Sequence, residues 1–298
     1  MADKGELLRN IGATQQRKFT RFACVDWSGA KGLSHPGIAL AVCGIGSDAP
    51  VLVAPPGKHW SRTGMAQWLL AQEDDLLIGF DFSFAPPLVE RGSYLPGDKV
   101  PETGRAFWDY VDSTCADPDL GAASFLETHH RRHFYLGAAD GPKAAYMHLR
   151  RCEVRYNAQG GGKPSTVYDA IGAAQVAKAS FAGMRLLKLV GERHPVWPFD
   201  PLSQSGPQIV EIYTQIAARA SGLRKGLSKI RDANALDMAL ANLGCGPHEP
   251  LSRYTDHATD AILTAAWLRH NAGNALFWEP EPLNPHIAQT EGWTFGVV

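Results

Sequence analysis

The sequence predicts an α/β fold, a mixed five-stranded sheet flanked by helices and interrupted by a large insertion. Three observations predict it. Three apolar segments at 22–26, 37–44 and 51–54 are joined by short connections and read as an antiparallel meander. The run LLIGFDFSF at 76–84 is nearly continuous in apolar residues, the pattern of a strand buried on both faces, as in parallel sheets. Segments of helical period follow and separate the strands, which is the element order of a sheet covered by helices.

Taken in order, residues up to about Lys18 are polar and lack the apolar core of a secretory signal. The first strand, 22–26, ends on Asp26 and breaks into the small-residue turn WSGAK. Pro36 and Gly37 turn the chain into the second strand. Residues 63–73 read as a helix with Met65, Trp68, Leu69 and Ala71 apolar and Ser61 or Thr63 as cap. Trp27 and Trp60 read as packing residues. After the buried strand, Pro86 and Pro87 open an irregular stretch, 85–207, read as an insertion or lobe within a single domain spanning 1–298. It holds the cluster ETHHRRHF, the run AQGGGKPST, a helical pattern near 170–190 and the proline-rich link HPVWPFDP. IVEIY at 209–213 is a further short strand, followed by a helix at 214–220. A basic segment (Arg224, Lys225, Lys229, Arg231) leads to an Ala/Leu helix ending near 243, and 255–270 is a strong helix capped by Thr255 or Ser252. The tail EGWTFGVV reads as an edge strand or lid, and no internal repeat is visible.

Composition narrows the class. A chain of 298 residues, 45% hydrophobic and 20% charged, has the make-up of an ordinary globular protein with a large core. The formal net charge of -1 places no demand for a polyanionic partner. Five scattered cysteines without a CxxC pair suit a reducing compartment and argue against a cysteine zinc site. No apolar run reaches membrane-spanning length, so the expected location is the cytoplasm and no membrane partner is expected.

Four segments carry an acid where a core element should be apolar: Asp26, Asp81, Glu211 and Asp260. Asp256 lies one turn before Asp260 on the same helix face, and His257 is about 60° round from Asp260. Each alone has an ordinary reading: turn residue, core ion pair, or helix N-terminal charge stabilised by the dipole. Held together, several carboxylates repel unless cations neutralise them. Oxygen ligands without cysteine favour Mg²⁺ or Mn²⁺, and two such ions about 4 Å apart suit in-line attack of water on a phosphodiester. The residues His129, His130, Arg131, Arg132 and His133 form a basic cluster able to grip phosphate, or simply a solvated face. Gly160 to Lys163 has the composition of a phosphate loop but neither its spacing nor a preceding strand. Lys31, Lys163, Ser165, Arg131 and Arg132 are the candidate phosphate contacts. Ser28 has no evident His/Asp relay.

With these residues in place, the chain resembles the predicted RNase H-like nucleases of domain-of-unknown-function family 429. VDWSGA is similar to that family's opening strand with its Asp, and IGFDFSFAPP to its second Asp strand, with Phe-Ser-Phe where a proline is common. VEIYTQIAAR resembles its Glu strand, with Thr214 in place of proline. DHATDAILTAAWLR followed by EGWTFGV resembles its Asp-bearing helix and closing motif, and KPSTVYDAIGAAQVAKASFAGM a middle segment. The resemblance implies an RNase H-like sheet in the order 3-2-1-4-5. It also implies Asp26, Asp81, Glu211 and Asp260 as catalytic metal ligands, with Asp26 shared by both ions. Asp256 or His257 beside Asp260 is similar to the terminal helix of Holliday-junction resolvases. The implied activity is metal-dependent hydrolysis of nucleic acid. Two other readings are kept. A phosphotransferase of the actin and sugar-kinase type needs D-x-G-[ST] after the first strand, whereas Gly29 follows Asp26 by three residues. A non-catalytic RNase H-like binding protein would keep the fold without the metal.

Overall fold

The computed structural model describes residues 17–162, 164–171, 175–224 and 229–298. The readings of residues 1–16, Lys163 and Lys225 lie outside the described residues. Strand β1 (Arg21–Asp26) pairs antiparallel with β2 (Ala39–Gly44), which carries β3 (Val51–Leu52) on its other side, also antiparallel. On its second edge β1 pairs in parallel with β4 (Leu76–Phe80). Beyond β4 the parallel half of the sheet continues through two strands from later in the chain. These are β5 (Val196–Trp197) at the edge and β6 (Gln208–Glu211) between it and β4.

The sheet thus has six strands in the order 3-2-1-4-6-5, where five in the order 3-2-1-4-5 were expected. The added strand is two residues long and lies between Pro195 and Pro198, too short and too interrupted to carry an alternating pattern. The tail continues the same edge: Thr294 bridges Glu211 in parallel, and the Phe295 N–H donates to the Glu211 carbonyl at 2.9 Å.

Alternation along the strands sends side chains into two cores. Ala23, Val25, Ile78, Phe80 and Ile209 face one core; Phe22, Cys24, Leu77 and Val210 face the other. The first is covered by α1 (Arg62–Leu70), α2 (Gly104–Thr114) and, after the short α3 (Arg151–Ala158), by α4 (Val176–Val190). The second is covered by α5 (Thr214–Ala220), α6 (Ala233–Ala241) and α7 (Asp256–Asn271). Two short helices, α8 (Ala275–Trp278) and α9 (Pro285–Thr290), complete the chain. Ala258, Ala261, Ile262 and Ala265 are the small buried face of α7 and let it lie close on β1 and β2. The insertion is not a detached lobe. Phe107 and Trp108 of α2 and Phe181 of α4 share one apolar core with β1 and β4, so 85–207 builds much of the layer on that face.

Candidate metal centre at the strand ends

The parallel ladder of β1 and β4 ends at Val25 opposite Phe80, and the Asp81 N–H donates to the Val25 carbonyl at 3.2 Å. Asp26 and Asp81 are therefore neighbours at adjacent strand ends. Both fall on the side-chain parity of Cys24 and Leu77, facing α7. Asp81 lies one residue past β4 rather than inside it. α7 begins at Asp256, where Thr255 Oγ1 accepts from the Ala258 N–H at 3.2 Å, and this start brings His257 and Asp260 over the strand ends. Asp26, Asp81, His257 and Asp260 line one cavity of about 500 Å³.

The turn after Asp26 is held by tight packing. A Cβ on Gly29 would collide with the backbone of Lys178 and Ala179 at the start of α4, so the turn has glycine where the chains meet. Trp27 Nε1 donates to the Ala179 carbonyl at 3.1 Å and fixes the end of β1 against the same helix.

The charges at this site are poorly compensated. Burial pushes the Asp26 carboxyl up, partly offset by His257, whose Nδ1 lies 2.9 Å from Asp26 Oδ1. Asp81 is pushed well up by burial and then by Asp26 and Asp260; its hydrogen-bond donor is Thr214, through Oγ1 at 3.3 Å. Asp260 is pushed to about 7 by burial, then by Asp26 and Asp256, and no hydrogen-bond donor reaches its carboxylate among the described residues. Cys24 lies one alternation behind Asp26, and after burial the fields of Asp26, Asp81 and Asp260 all push its thiol up. Three separate elements thus deliver acid to one place. Their spread is wider than one ion requires: among the described residues only Asp98, His130 and His133 bring three ligand atoms within 4.8 Å of one another.

Glu211 and Asp256, also expected as ligands, have other partners. Glu211 pairs in register with Phe80, not with Asp81, so its side chain starts from the opposite face of the sheet, although it lines the same cavity as the aspartates. There Arg150 grips both of its oxygens, at 2.6 Å from Nη1 and 2.5 Å from Nη2. The Phe84 N–H donates to it at 2.8 Å and Thr294 Oγ1 at 2.6 Å. Arg150 also holds Glu153, and all three side chains are buried. Asp256 is partly exposed at the cavity rim, bound by Lys229 at 2.7 Å and by Arg231. Its carboxyl is held below the ordinary range, Arg231 being the largest cause.

The expected phosphate contacts are scattered. Ser165 lines the cavity and donates to Asp169 at 3.3 Å. Lys31 pairs with Glu127 at 2.7 Å, Arg131 with Asp140 at 2.5 Å and Arg132 with Asp98; none of the three lines the cavity. The basic segment read at 224–231 places Lys229 and Arg231 at the rim through Asp256. Sequence reasoning did not find Arg150 or Asp98. Arg150 has one local partner, Glu153, but the contacts that tie it to the cavity wall lie 61 and 141 residues away. Thr214 stood out only as a departure from the family pattern, and it is the donor to Asp81.

Comparison of the chain with protein-family models, with curated proteins and with solved structures gives no match. No helix among the described residues is long and apolar enough to cross a membrane.

Proposed function

We propose that this chain is an RNase H-like, divalent-metal-dependent phosphodiesterase acting on nucleic acid. The observation that carries the reading is the trio Asp26, Asp81 and Asp260. Of the six carboxylates that line the cavity, these three are disfavoured as anions by burial and by a like-charged neighbour, and none has an arginine or lysine ion pair among the described residues, whereas Glu153, Glu211 and Asp256 do. One imidazole and one hydroxyl are the side chains hydrogen-bonded to the trio among the described residues.

A donor set of carboxylate oxygens without cysteine fits Mg²⁺ or Mn²⁺. Asp26, Asp81 and Asp260 would hold them, and ions bound there supply an activated water and charge stabilisation for displacement at phosphorus. The rest of the chemistry belongs to the chain. His257 fixes the rotamer of Asp26 through Nδ1, and its own pKa is raised, Asp26 being the largest cause. Its side chain is 47% exposed, which leaves the imidazole open to exchange a proton with a bound substrate. Lys229 and Arg231 share a single carboxylate, so the rim keeps positive charge for a phosphate. Glu211, neutralised by Arg150, shapes the wall instead of binding metal.

The test is calorimetric titration of Mn²⁺ into the wild type and Asp26→Asn, paired with cleavage assays on single- and double-stranded DNA and RNA. Binding by the wild type, at least tenfold weaker in the variant, with Mn²⁺-dependent cleavage that the variant lacks, is the expected result. Absence of Mn²⁺ binding in both proteins would remove the mechanism. ATP turnover without nucleic-acid cleavage would favour the phosphotransferase reading.

A further inference from the structure

A second cluster of ligand atoms lies away from this cavity. His130 Nδ1 and His133 Nε2 each lie 2.8 Å from the same oxygen, Asp98 Oδ2. None of the three residues lines the 500 Å³ cavity. Asp98 sits between β4 and α2, while the histidines follow a single π-helical turn, Phe125–His129. His130 is buried, packed in a tilted arrangement on Phe125 with ring centroids 4.4 Å apart, and its Nε2 meets the Tyr110 hydroxyl of α2 at 3.0 Å.

Hydrogen bonding alone leaves a conflict here. His133 Nε2 lies 3.2 Å from Arg132 Nε, which can only donate, and 2.8 Å from Asp98 Oδ2, which when ionised can only accept. If Nε2 carries a proton it opposes the guanidinium N–H. If it is bare, its lone pair faces the carboxylate. No tautomer of His133 suits both neighbours. A cation among His130 Nδ1, His133 Nε2 and Asp98 Oδ2 would accept all three lone pairs. Tyr110 would then orient His130 from its other nitrogen, as partners of metal-bound histidines do. Arg132 is 61% exposed and can turn to water.

We infer that Asp98, His130 and His133 form a structural site for a transition-metal ion of the Zn²⁺ or Co²⁺ type. Two imidazole nitrogens with one carboxylate select such ions over Mg²⁺. The site differs in chemistry from the all-oxygen centre and stands whether or not that centre is catalytic. The bound ion ties the loop after β4 to the segment after α2, bracing the inserted layer over the sheet.

The experiment uses the full chain carrying Asp26→Asn and Asp81→Asn, which weakens the other centre. Co²⁺ is titrated while the visible absorption of a nitrogen-ligated ion is followed, and Zn²⁺ is added in thermal melts. One equivalent of Co²⁺ with visible bands, and a melting temperature raised by at least ~2 °C in Zn²⁺, are expected. His133→Gln and the near-isosteric Asp98→Asn should each weaken Co²⁺ binding at least tenfold. Tyr110→Phe should weaken it by about 10- to 100-fold. Arg132→Ala should tighten it, because it removes the competing cation. That variant keeps both histidines and the carboxylate and so tests the site even if another variant folds poorly. Absence of Co²⁺ binding, or binding insensitive to both His133→Gln and Asp98→Asn, would overturn the inference.

Discussion

At the scale of single residues, the three aspartates stand where a folded chain is least able to hold negative charge. Asp260 makes the consequence measurable. With its carboxyl raised from 3.8 to about 7, the folded protein keeps a proton that the unfolded chain releases between those values. The unfolded state then binds fewer protons, so stability falls as pH rises across that window and levels off above it. The cost at full ionisation is on the order of 4 kcal/mol. Chelator-treated protein should therefore lose melting temperature from pH 4 to pH 7, and Mn²⁺ at pH 8 should restore it. Asp81→Asn supplies the sign that separates roles. In chelator at pH 8 it should be at least as stable as the wild type, because it imitates the protonated acid, yet it should gain nothing from Mn²⁺. A loss beyond ~1 kcal/mol in chelator would mean that the Asp81 anion has a compensating partner beyond the Thr214 hydroxyl. Asp26, Asp81 and Asp260 were legible in the sequence because each interrupts an apolar segment. Glu211 interrupts one in the same way and was read in the same way.

The difference lies at the scale of elements. β6 is offset so that Glu211 meets Phe80, and one residue of register exchanges the two faces of a strand. Periodicity within a strand cannot report its register against a neighbour 130 residues earlier, so the sequence carried the acid but not its direction. Once turned to the other face, Glu211 needs a cation, and Arg150, just before α3, provides it. Removing one member of a buried pair costs on the order of 3–5 kcal/mol. Glu211→Gln keeps an acceptor for the Phe84 N–H but loses the charge. It should lower the melting temperature substantially while leaving Mn²⁺ affinity within about threefold, the reverse of Asp26→Asn. A loss of Mn²⁺ affinity matching that of Asp26→Asn would return Glu211 to the ligand set. The same limit applies to the rest of the fold. The long strands and α7 were readable from hydrophobic pattern and caps. α2 was missed within a stretch read as irregular, although Phe107, Trp108 and Val111 fall on one face of it, and β5 is held by pairing with β6 rather than by its own sequence.

At the scale of the whole molecule, the proposed function raises the question of how a chain of formal charge -1 would attract a polyanion. Net charge offers no steering, so on that proposal a nucleic acid would be drawn by local charge near the cavity. Three basic side chains named from the sequence are spent elsewhere: Lys31 on Glu127, Arg131 on Asp140 and Arg132 on Asp98. Lys229 and Arg231 differ, because they crowd one carboxylate at the rim and remain 69% and 53% exposed. If these two contact phosphates, they release counterions on binding, and the logarithm of affinity falls with the logarithm of salt by ~0.9 per contact on a duplex or ~0.7 on a single strand. Replacing both by alanine should weaken nucleic-acid binding at low salt. It should flatten the salt dependence by about 1.8 on a duplex or about 1.4 on a single strand. Mn²⁺ binding in the absence of nucleic acid should survive, since neither side chain belongs to the aspartate trio. A double variant with an unchanged salt slope would place the polyanion on another face, and the cavity would then have to admit a small phosphoester instead.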